Sequence, residues 1–238
     1  MIMRALVLAA GRGERMRPLT DATPKPLLSA GDRRLIEWQL DALAAAGIRE
    51  IVINLAHLPD QFLAVLGTGE RFGLTIRYSR EGERAEDALE TLGGIVRALP
   101  LLGDAPFVVV SGDIVTDFDY ASLADAAASI ADRRFDAHLV LVDNPPFHPR
   151  GDMGLVDGRI APAANERLTY ANIGVFAPRL FAGLQPLRAR LFPWLYAAAQ
   201  SGRVSGEHCR GRWYNVGTTE ELARADAELR ASSVQMRS

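Results

Sequence analysis

The feature that most constrains this chain is a glycine-bearing basic loop that directly follows an apolar run near the N-terminus. The run Arg4–Ala10 is apolar after its first residue, which is typical of a strand buried on both faces of a parallel sheet. Residues 11–20 then read GRGERMRPLT, with two glycines and three arginines. Such a loop suits phosphates, because glycines let backbone N–H groups approach an anion that arginine can neutralise. We therefore expect a phosphate-binding loop at the end of the first strand.

The distribution of lysine points to the same region. Lys25, between Pro24 and Pro26, is the single lysine of the chain, and the other 26 basic residues are arginines. Lysine is a compact point charge whereas arginine is a planar fork, so the two are not equivalent against a moving phosphate. Codon bias together with chance is an alternative explanation of this count.

Composition narrows the class of protein. The chain has 238 residues, of which 48% are hydrophobic and 24% charged, as in an ordinary soluble protein that can bury a core. A formal net charge of −2 argues against a nucleic-acid-binding protein that uses a basic surface. A single cysteine, Cys209, excludes an internal disulfide. No apolar window approaches the roughly 18 residues of a membrane span, so we expect a cytoplasmic protein without membrane contact.

Apolar strands alternate with helical segments through the first 142 residues. The patterns predict strands at 51–55, 74–78, 107–110 and 137–142, and helices that begin at Asp32 as N-cap, at about 59, at about 90 and near 121. Strands that alternate with helices form a parallel sheet with helices on both faces. We therefore predict an α/β fold with a doubly wound, mostly parallel, Rossmann-like sheet.

The pattern becomes less regular after about residue 143. Segment 143–152 carries three prolines, and the strands and helices predicted after it are short. A capping box at Thr218–Glu221 begins the last helix. Because no linker is evident, we predict a single domain over residues 1–238, with a regular half at about 1–142 and a smaller, less regular half at about 143–230.

Three further segments bear on ligand binding. Asp113 follows the strand 107–110, and a carboxylate at the end of a parallel strand is a good magnesium ligand, although a turn aspartate is the alternative. The helix start at 90–94, ETLGG, offers backbone N–H groups to an anion or to a base edge, with a simple helix cap as the alternative. Residues 80–87 are strongly charged and are predicted to form an exposed loop.

Taken together, these segments resemble a known enzyme family. The motif LAAGxGxRMxPLT at 8–20, followed by PKPL at 24–27, is similar to the long signature of the sugar-1-phosphate nucleotidylyltransferases. Segment 90–94 resembles the base-contacting loop of that family, and 111–113 resembles its metal-binding strand end. Segment 172–174 resembles its sugar-side strand, and 213–218 its second metal-site motif. The resemblance implies a GT-A-like nucleotidyltransferase fold, in which residues of about 1–142 form a nucleotide-binding half and those of about 143–230 an acceptor half that binds the sugar phosphate.

The resemblance also implies roles for individual residues. Catalysis would depend on Arg15, Lys25 and Asp113. A nucleoside triphosphate would contact Ala9, Ala10, Gly11, Gly13, Glu14, Arg15, Glu90, Thr91, Gly93, Gly94 and Asp113. The sugar 1-phosphate would contact Lys25, Asn172, Gly174 and Glu207. Magnesium, the implied cofactor, would be held by Asp113 and Asn215.

Within the family, segments 139–145, 150–152 and 204–208 look most like those of members that use UTP and N-acetylmuramate 1-phosphate in the recycling of cell-wall sugars, and this resemblance implies the same substrates here. The alternatives are GTP with mannose 1-phosphate, and cytidylyl transfer to a non-sugar phosphate such as phosphocholine. Asn215 stands where the family usually has an aspartate, which leaves open a nucleotide-sugar-binding relative without catalysis. Leu92 stands where related chains tend to have glycine, so the base is also open. The sequence does not give the oligomeric state.

Overall fold

A computed structural model describes residues 3–82 and 85–235. The strands are β1 (Arg4–Leu8), β2 (Ser29–Ala30), β3 (Arg33–Arg34), β4 (Glu50–Leu55), β5 (Thr75–Arg80), β6 (Phe107–Ser111), β7 (Ile114–Thr116), β8 (Ala137–Val142), β9 (Gly154–Val156), β10 (Arg159–Ala161), β11 (Thr169–Phe176), β12 (Val204–Cys209) and β13 (Trp213–Asn215). The helices are α1 (Leu19–Ala22), α2 (Leu35–Ala45), α3 (Pro59–Leu66), α4 (Glu90–Leu102), α5 (Leu123–Ala131), α6 (Trp194–Gln200) and α7 (Thr219–Gln235).

One nine-stranded sheet organises the molecule, in the order β5-β4-β1-β6-β11-β8-β12-β10-β9. Strands β5, β4, β1 and β6 are parallel neighbours, and β10 and β11 run against the direction of the other seven strands. Two short ribbons, β2–β3 and β7–β13, lie outside this sheet. The predicted α/β fold with a mostly parallel sheet is confirmed.

Alternate side chains of the central strand enter the cores on the two faces of the sheet. Ala5 and Val7 of β1 pack in a cluster that contains apolar residues of α2, α3 and α5. Leu6 faces the other side, where its cluster contains apolar residues of α4 and α6. A third, smaller cluster joins Met16 of the glycine loop to Leu229 of α7. The sheet is therefore buried on both faces, as the apolar run Arg4–Ala10 predicts.

The boundary predicted at residue 142 does not divide the sheet. Strand β11, from the predicted acceptor half, lies between β6 and β8 of the predicted nucleotide half. The start of α2 also differs from the prediction, because Gly31 adopts φ of 70° and turns the chain into the β2–β3 ribbon before the helix begins. Asp32 is therefore not the N-cap of α2. Instead, the Glu37 carboxylate accepts the backbone N–H of Arg34 at 2.8 Å.

In the described part of the chain, every helix is too short or too polar to cross a lipid bilayer.

Candidate active site

A cleft of about 450 Å³ lies at the carboxyl ends of β1, β4 and β6. This edge of a parallel sheet is where α/β proteins bind ligands. The cleft is lined by ten of the residues predicted to bind substrates or metal: Ala9, Ala10, Gly11, Gly13, Glu14, Arg15, Lys25, Glu90, Thr91 and Asp113. The fold thus brings together the glycine loop, the start of α4, the isolated lysine and the strand-end aspartate.

The two glycines of the loop have different physical reasons to be glycine. Gly13 adopts φ of 64°, and a Cβ atom there would lie 2.7 Å from a methyl group of Thr20, so the fold itself requires glycine. A Cβ atom on Gly11 would meet no atom within 4 Å. Because Gly11 faces the open cleft, close approach of a ligand is the remaining reason for glycine at this position.

Lys25 and Asp113 form an ion pair in the cleft. Lys25 begins a 3-10 helix, Lys25–Leu27, whose Pro26 and Leu27 are buried, so the flanking residues fix its backbone. Asp113 occupies the two-residue turn between β6 and β7. Both charged groups are about one-sixth exposed, at 15% and 17%. A cation and a carboxylate thus meet beside the phosphate loop, with enough exposure to contact a ligand.

The closing motif reaches the cleft through Gly217. This residue lines the cleft, and a Cβ atom on it would lie 2.8 Å from a guanidinium nitrogen of Arg15. Asn215 does not line the cleft, but it pairs with Ile114 in the β13–β7 ribbon, and the N–H of Val216 donates to the Asp113 carbonyl at 3.1 Å. The predicted second metal-site motif therefore lies beside Asp113. The requirement for glycine at 217 was not predicted.

A buried polar chain behind the cleft was also missed. The backbone N–H of Ala9 donates to the Asn54 side-chain oxygen at 2.7 Å, and the Asn54 amide donates to a Glu81 carboxylate oxygen at 2.5 Å. The other oxygen of Glu81 accepts the N–H of Leu89 at 2.6 Å. These bonds join the ends of β1 and β4 to the segment before α4. A polar residue near the end of the apolar strand 51–55 was the available sequence signal.

Glu81 corrects the prediction of an exposed loop at 80–87. Its side chain is buried, although it belongs to a run of charged residues; residues 83 and 84 of that run lie outside the described ones. Burial raises the pKa of the Glu81 carboxyl group, while the hydrogen bonds from Leu89 and Asn54 lower it. Burial outweighs these two hydrogen bonds, so the pKa of the Glu81 carboxyl group lies above its ordinary value.

A second cavity of about 360 Å³ adjoins the first and shares Leu8, Glu90, Thr91 and Ser111 with it. Asn172, predicted to contact the sugar 1-phosphate, lines this second cavity. It adopts φ of 58° at an irregularity in the pairing of β11 with β8. Asparagine tolerates this left-handed conformation better than most residues do, and a bulge redirects a side chain.

Five of the predicted site residues line neither of these two cavities: Gly93, Gly94, Gly174, Glu207 and Asn215. A Cβ atom on Gly94 would lie 2.3 Å from a Glu81 oxygen, and one on Gly174 would lie 2.9 Å from the His138 carbonyl oxygen. A Cβ atom on Gly93 would lie 2.2 Å from the carbonyl oxygen of Leu187. Glu207 lies 3.1 Å from His138 on the neighbouring strand. The sequence alone does not distinguish such close packing from ligand contact.

The start of α4 differs from its predicted use. The N–H groups of Leu92 and Gly93 donate to the carbonyl of Ala189 at 3.0 and 3.3 Å, so these donors do not face the cleft. The Leu92 side chain belongs to the core cluster that joins its own helix, α4, to α6. It lines neither cavity and therefore does not narrow either one. Of the residues at this helix start, Glu90 and Thr91 are thus the ones that line the two cavities.

Comparison with known proteins shows similarity to one family of transferases. The sequence signature of the family described as Nucleotidyl transferase matches residues 4–157. An N-acetylmuramate alpha-1-phosphate uridylyltransferase of Neisseria meningitidis is 46% identical over 94% of this chain and 97% of its own. A mannose-1-phosphate guanyltransferase of Aspergillus fumigatus is 40% identical over 92% of this chain, which spans 62% of that protein.

The fold has solved relatives as well. The structure of a UDP-glucose pyrophosphorylase bound to UDP-glucose superimposes with a TM-score of 0.74 and 19% identity, covering 98% of this chain and all of that one. The family signature spans the glycine loop, Lys25 and Asp113, and the Neisseria relative extends the similarity over nearly the whole chain. The resemblance predicted from the sequence is confirmed, and the chain belongs to the nucleotidyl transferase family.

Proposed function

We propose that this protein transfers the uridylyl group of UTP to N-acetylmuramate 1-phosphate, forming UDP-N-acetylmuramate and pyrophosphate. The observation that supports this most directly is the uridylyltransferase of Neisseria meningitidis, which matches nearly end to end at 46% identity. The fungal guanyltransferase matches 92% of this chain at 40% identity, but the match spans only 62% of the fungal protein. UTP is therefore favoured over GTP, and the N-acetylmuramate ester over mannose 1-phosphate.

The cleft supports a direct displacement. An oxygen of the sugar phosphate attacks the α-phosphorus of UTP, the bond from that phosphorus to the bridging oxygen breaks, and pyrophosphate leaves with the electron pair. The chain therefore needs to hold the two substrates in line and to neutralise charge, not to form a covalent intermediate.

The residues of the cleft fit this task. Gly11 leaves room for the triphosphate beside the backbone, and Arg15 offers its guanidinium to the terminal phosphates. Lys25 lines the cleft together with the glycine loop and the end of β6. From there it would contact the α-phosphate and the incoming sugar phosphate. A fixed cation at the point where charge develops lowers the barrier without reorganisation.

The donor set at the end of β6 is compatible with Mg²⁺. This ion takes one or two carboxylates together with substrate phosphates and water, and Asp113 provides a carboxylate that lines the cleft. Asn215, beside it in the β13–β7 ribbon, can add an amide oxygen. When bound there, the ion would neutralise phosphate charge. No cluster of three acidic, histidine or cysteine side chains suited to a metal occurs in the described ranges, so the substrates themselves would complete the coordination.

The proposed product places the enzyme in the cytoplasmic reuse of cell-wall sugars, because UTP and sugar phosphates are cytoplasmic metabolites. The test is a pyrophosphate-release assay with UTP, GTP, CTP and dTTP crossed with the 1-phosphates of N-acetylmuramate, N-acetylglucosamine, glucose and mannose. Phosphocholine with CTP completes the panel.

We expect the highest kcat/KM for UTP with N-acetylmuramate 1-phosphate. Preference for GTP with mannose 1-phosphate would contradict the proposal, as would tight nucleotide binding without turnover of any pair. Omission of Mg²⁺ in the presence of EDTA should abolish release of pyrophosphate.

A further inference from the structure

We infer that Arg190 selects the acceptor, by pairing its guanidinium with a carboxylate that the sugar carries in addition to its phosphate. The inference rests on the proposed function, because N-acetylmuramate is N-acetylglucosamine with a lactyl ether that ends in a carboxylate. The enzyme must therefore recognise a second anionic group on this sugar if it is to prefer it.

The second cavity is the space available to that sugar. It shares Thr91 and Ser111 with the first cavity, which holds Lys25 and Asp113. An acceptor phosphate that reaches Lys25 therefore leaves its sugar ring on the side of the second cavity, between β11 and the segment before α6. Arg190 belongs to that segment and lines the cavity.

The charges around this cavity single out Arg190. Glu90 and Arg190 are the charged residues that line it, and Glu90 lies 3.5 Å from Arg188. Arg190 is exposed and forms no hydrogen bond or ion pair with other described residues. A guanidinium without a carboxylate partner can accept one from a ligand, and the planar fork suits bidentate pairing.

The backbone beside Arg190 is held in place by α4. The N–H of Ala189 donates to the Leu89 carbonyl at 2.9 Å, and the Ala189 carbonyl accepts from Leu92 at 3.0 Å. The two arginines that flank Ala189 line different cavities: Arg188 the first and Arg190 the second. Because this anchor fixes the backbone in advance, less ordering accompanies binding of the ligand.

The test compares two acceptors that differ by the lactyl group. We measure kcat/KM for N-acetylmuramate 1-phosphate and for N-acetylglucosamine 1-phosphate, each with saturating UTP, for the wild type and Arg190→Gln. Arg134→Gln is the matched control, since this exposed arginine bonds Ser129 and lies outside both cavities. Arg190→Lys separates charge from bidentate geometry.

We expect Arg190→Gln to lower kcat/KM for the N-acetylmuramate ester about 10- to 100-fold, the effect of losing a hydrogen bond to a charged group. The N-acetylglucosamine ester should change far less, so that the ratio of the two collapses, while Arg190→Lys retains part of it. Equal losses with both acceptors would overturn the inference in favour of a phosphate-binding or structural role.

The same assay separates this inference from the proposed function. A wild-type preference for the N-acetylmuramate ester that survives Arg190→Gln contradicts the role of Arg190 alone. A wild-type protein without that preference contradicts the proposed substrate, and the role of Arg190 with it.

Discussion

At the scale of single residues, the isolated lysine is explained by its neighbours. The glycine loop lines the cleft on one side of Lys25, and Asp113 pairs with it on the other. An arginine would place a wider, planar group between two phosphates that must approach each other in line. Under the proposed function, Lys25 is thus suited to contact both substrates.

The first prediction concerns this residue. Lys25→Ala should lower kcat about 10²- to 10³-fold, by analogy with the loss of one charge-stabilising donor, while the KM for UTP changes little. Arg17→Ala is the control, because Arg17 pairs with Asp21 at 3.1 Å and does not line the cleft. Steady-state pyrophosphate release measures both variants. Near-full turnover by Lys25→Ala would contradict the assignment.

The second prediction concerns the amide beside Asp113. Asn215→Asp restores a carboxylate and adds a negative charge, so the Mg²⁺ concentration for half-maximal activity should fall by about tenfold or more, since roughly 1.4 kcal/mol suffices for tenfold. A magnesium titration of initial rates measures the change. An unaltered titration curve would mean that Asn215 is not near the ion.

The third prediction separates two glycines by their physical reasons. Gly11→Ala should leave the free energy of unfolding unchanged or raise it by up to about 1 kcal/mol, because its Cβ enters open space, while UTP binding weakens. Gly93→Ala should lower the free energy of unfolding by about 1–3 kcal/mol, because its Cβ overlaps the Leu187 carbonyl. Urea denaturation and UTP titration measure both. Equal stability losses in the two variants would contradict this distinction.

At the scale of elements, what the sequence predicts depends on how far apart the interacting segments are. Strands 51–55 and 137–142 and helix 59–66 follow from local periodicity and are confirmed within a residue or two. The burial of Glu81 does not follow from its neighbours, because its partners Asn54 and Leu89 come from two other elements. The hydrogen bonds from the N–H groups of Leu92 and Gly93 to the Ala189 carbonyl likewise cannot be predicted from the local sequence pattern, because Ala189 lies in a distant loop.

A fourth prediction concerns the ends of three strands. Asp136 lies just before β8, and its carboxylate accepts two hydrogen bonds. Arg203, just before β12, donates one at 2.6 Å, and Arg179, just after β11, donates the other at 2.8 Å. The bond from Arg203, followed by that from Arg179, holds the pKa of the Asp136 carboxyl below its usual value. This carboxylate therefore stabilises the fold above the ordinary aspartate pKa near 4, and the stabilisation is lost as the pH falls through the lowered pKa.

Asp136→Asn should accordingly lower the free energy of unfolding by about 1.5 kcal/mol at pH 7, the lower end of the range for a hydrogen bond to a charged group. The difference from the wild type should shrink as the pH falls below about 4. Urea unfolding at pH 3, 4, 5 and 7 measures this, with Asp104→Asn, at an exposed position, as the control. A difference that stays constant with pH would show that the carboxylate charge is not the cause.

At the scale of the whole molecule, the sheet order determines which parts can fold alone. Because β11 separates β6 from β8, residues 1–142 without it would leave both strands with an unpaired edge. The cluster that contains α4 also draws on α6, so each predicted half completes the core of the other. The two cavities are thus built on one sheet, which fixes their separation.

The fifth prediction follows from this arrangement. The protein should unfold in urea in a single transition, because the two halves share the sheet and both cores. Trp38 lies in the first half of the sequence and Trp194 and Trp213 in the second, so single-tryptophan variants with phenylalanine at the other two positions give a separate signal from each position. Their fluorescence midpoints should coincide with each other and with far-UV circular dichroism, and a fragment of residues 1–142 should lack cooperative unfolding. Two separated midpoints, or a cooperatively folded fragment, would show that the halves are independent domains.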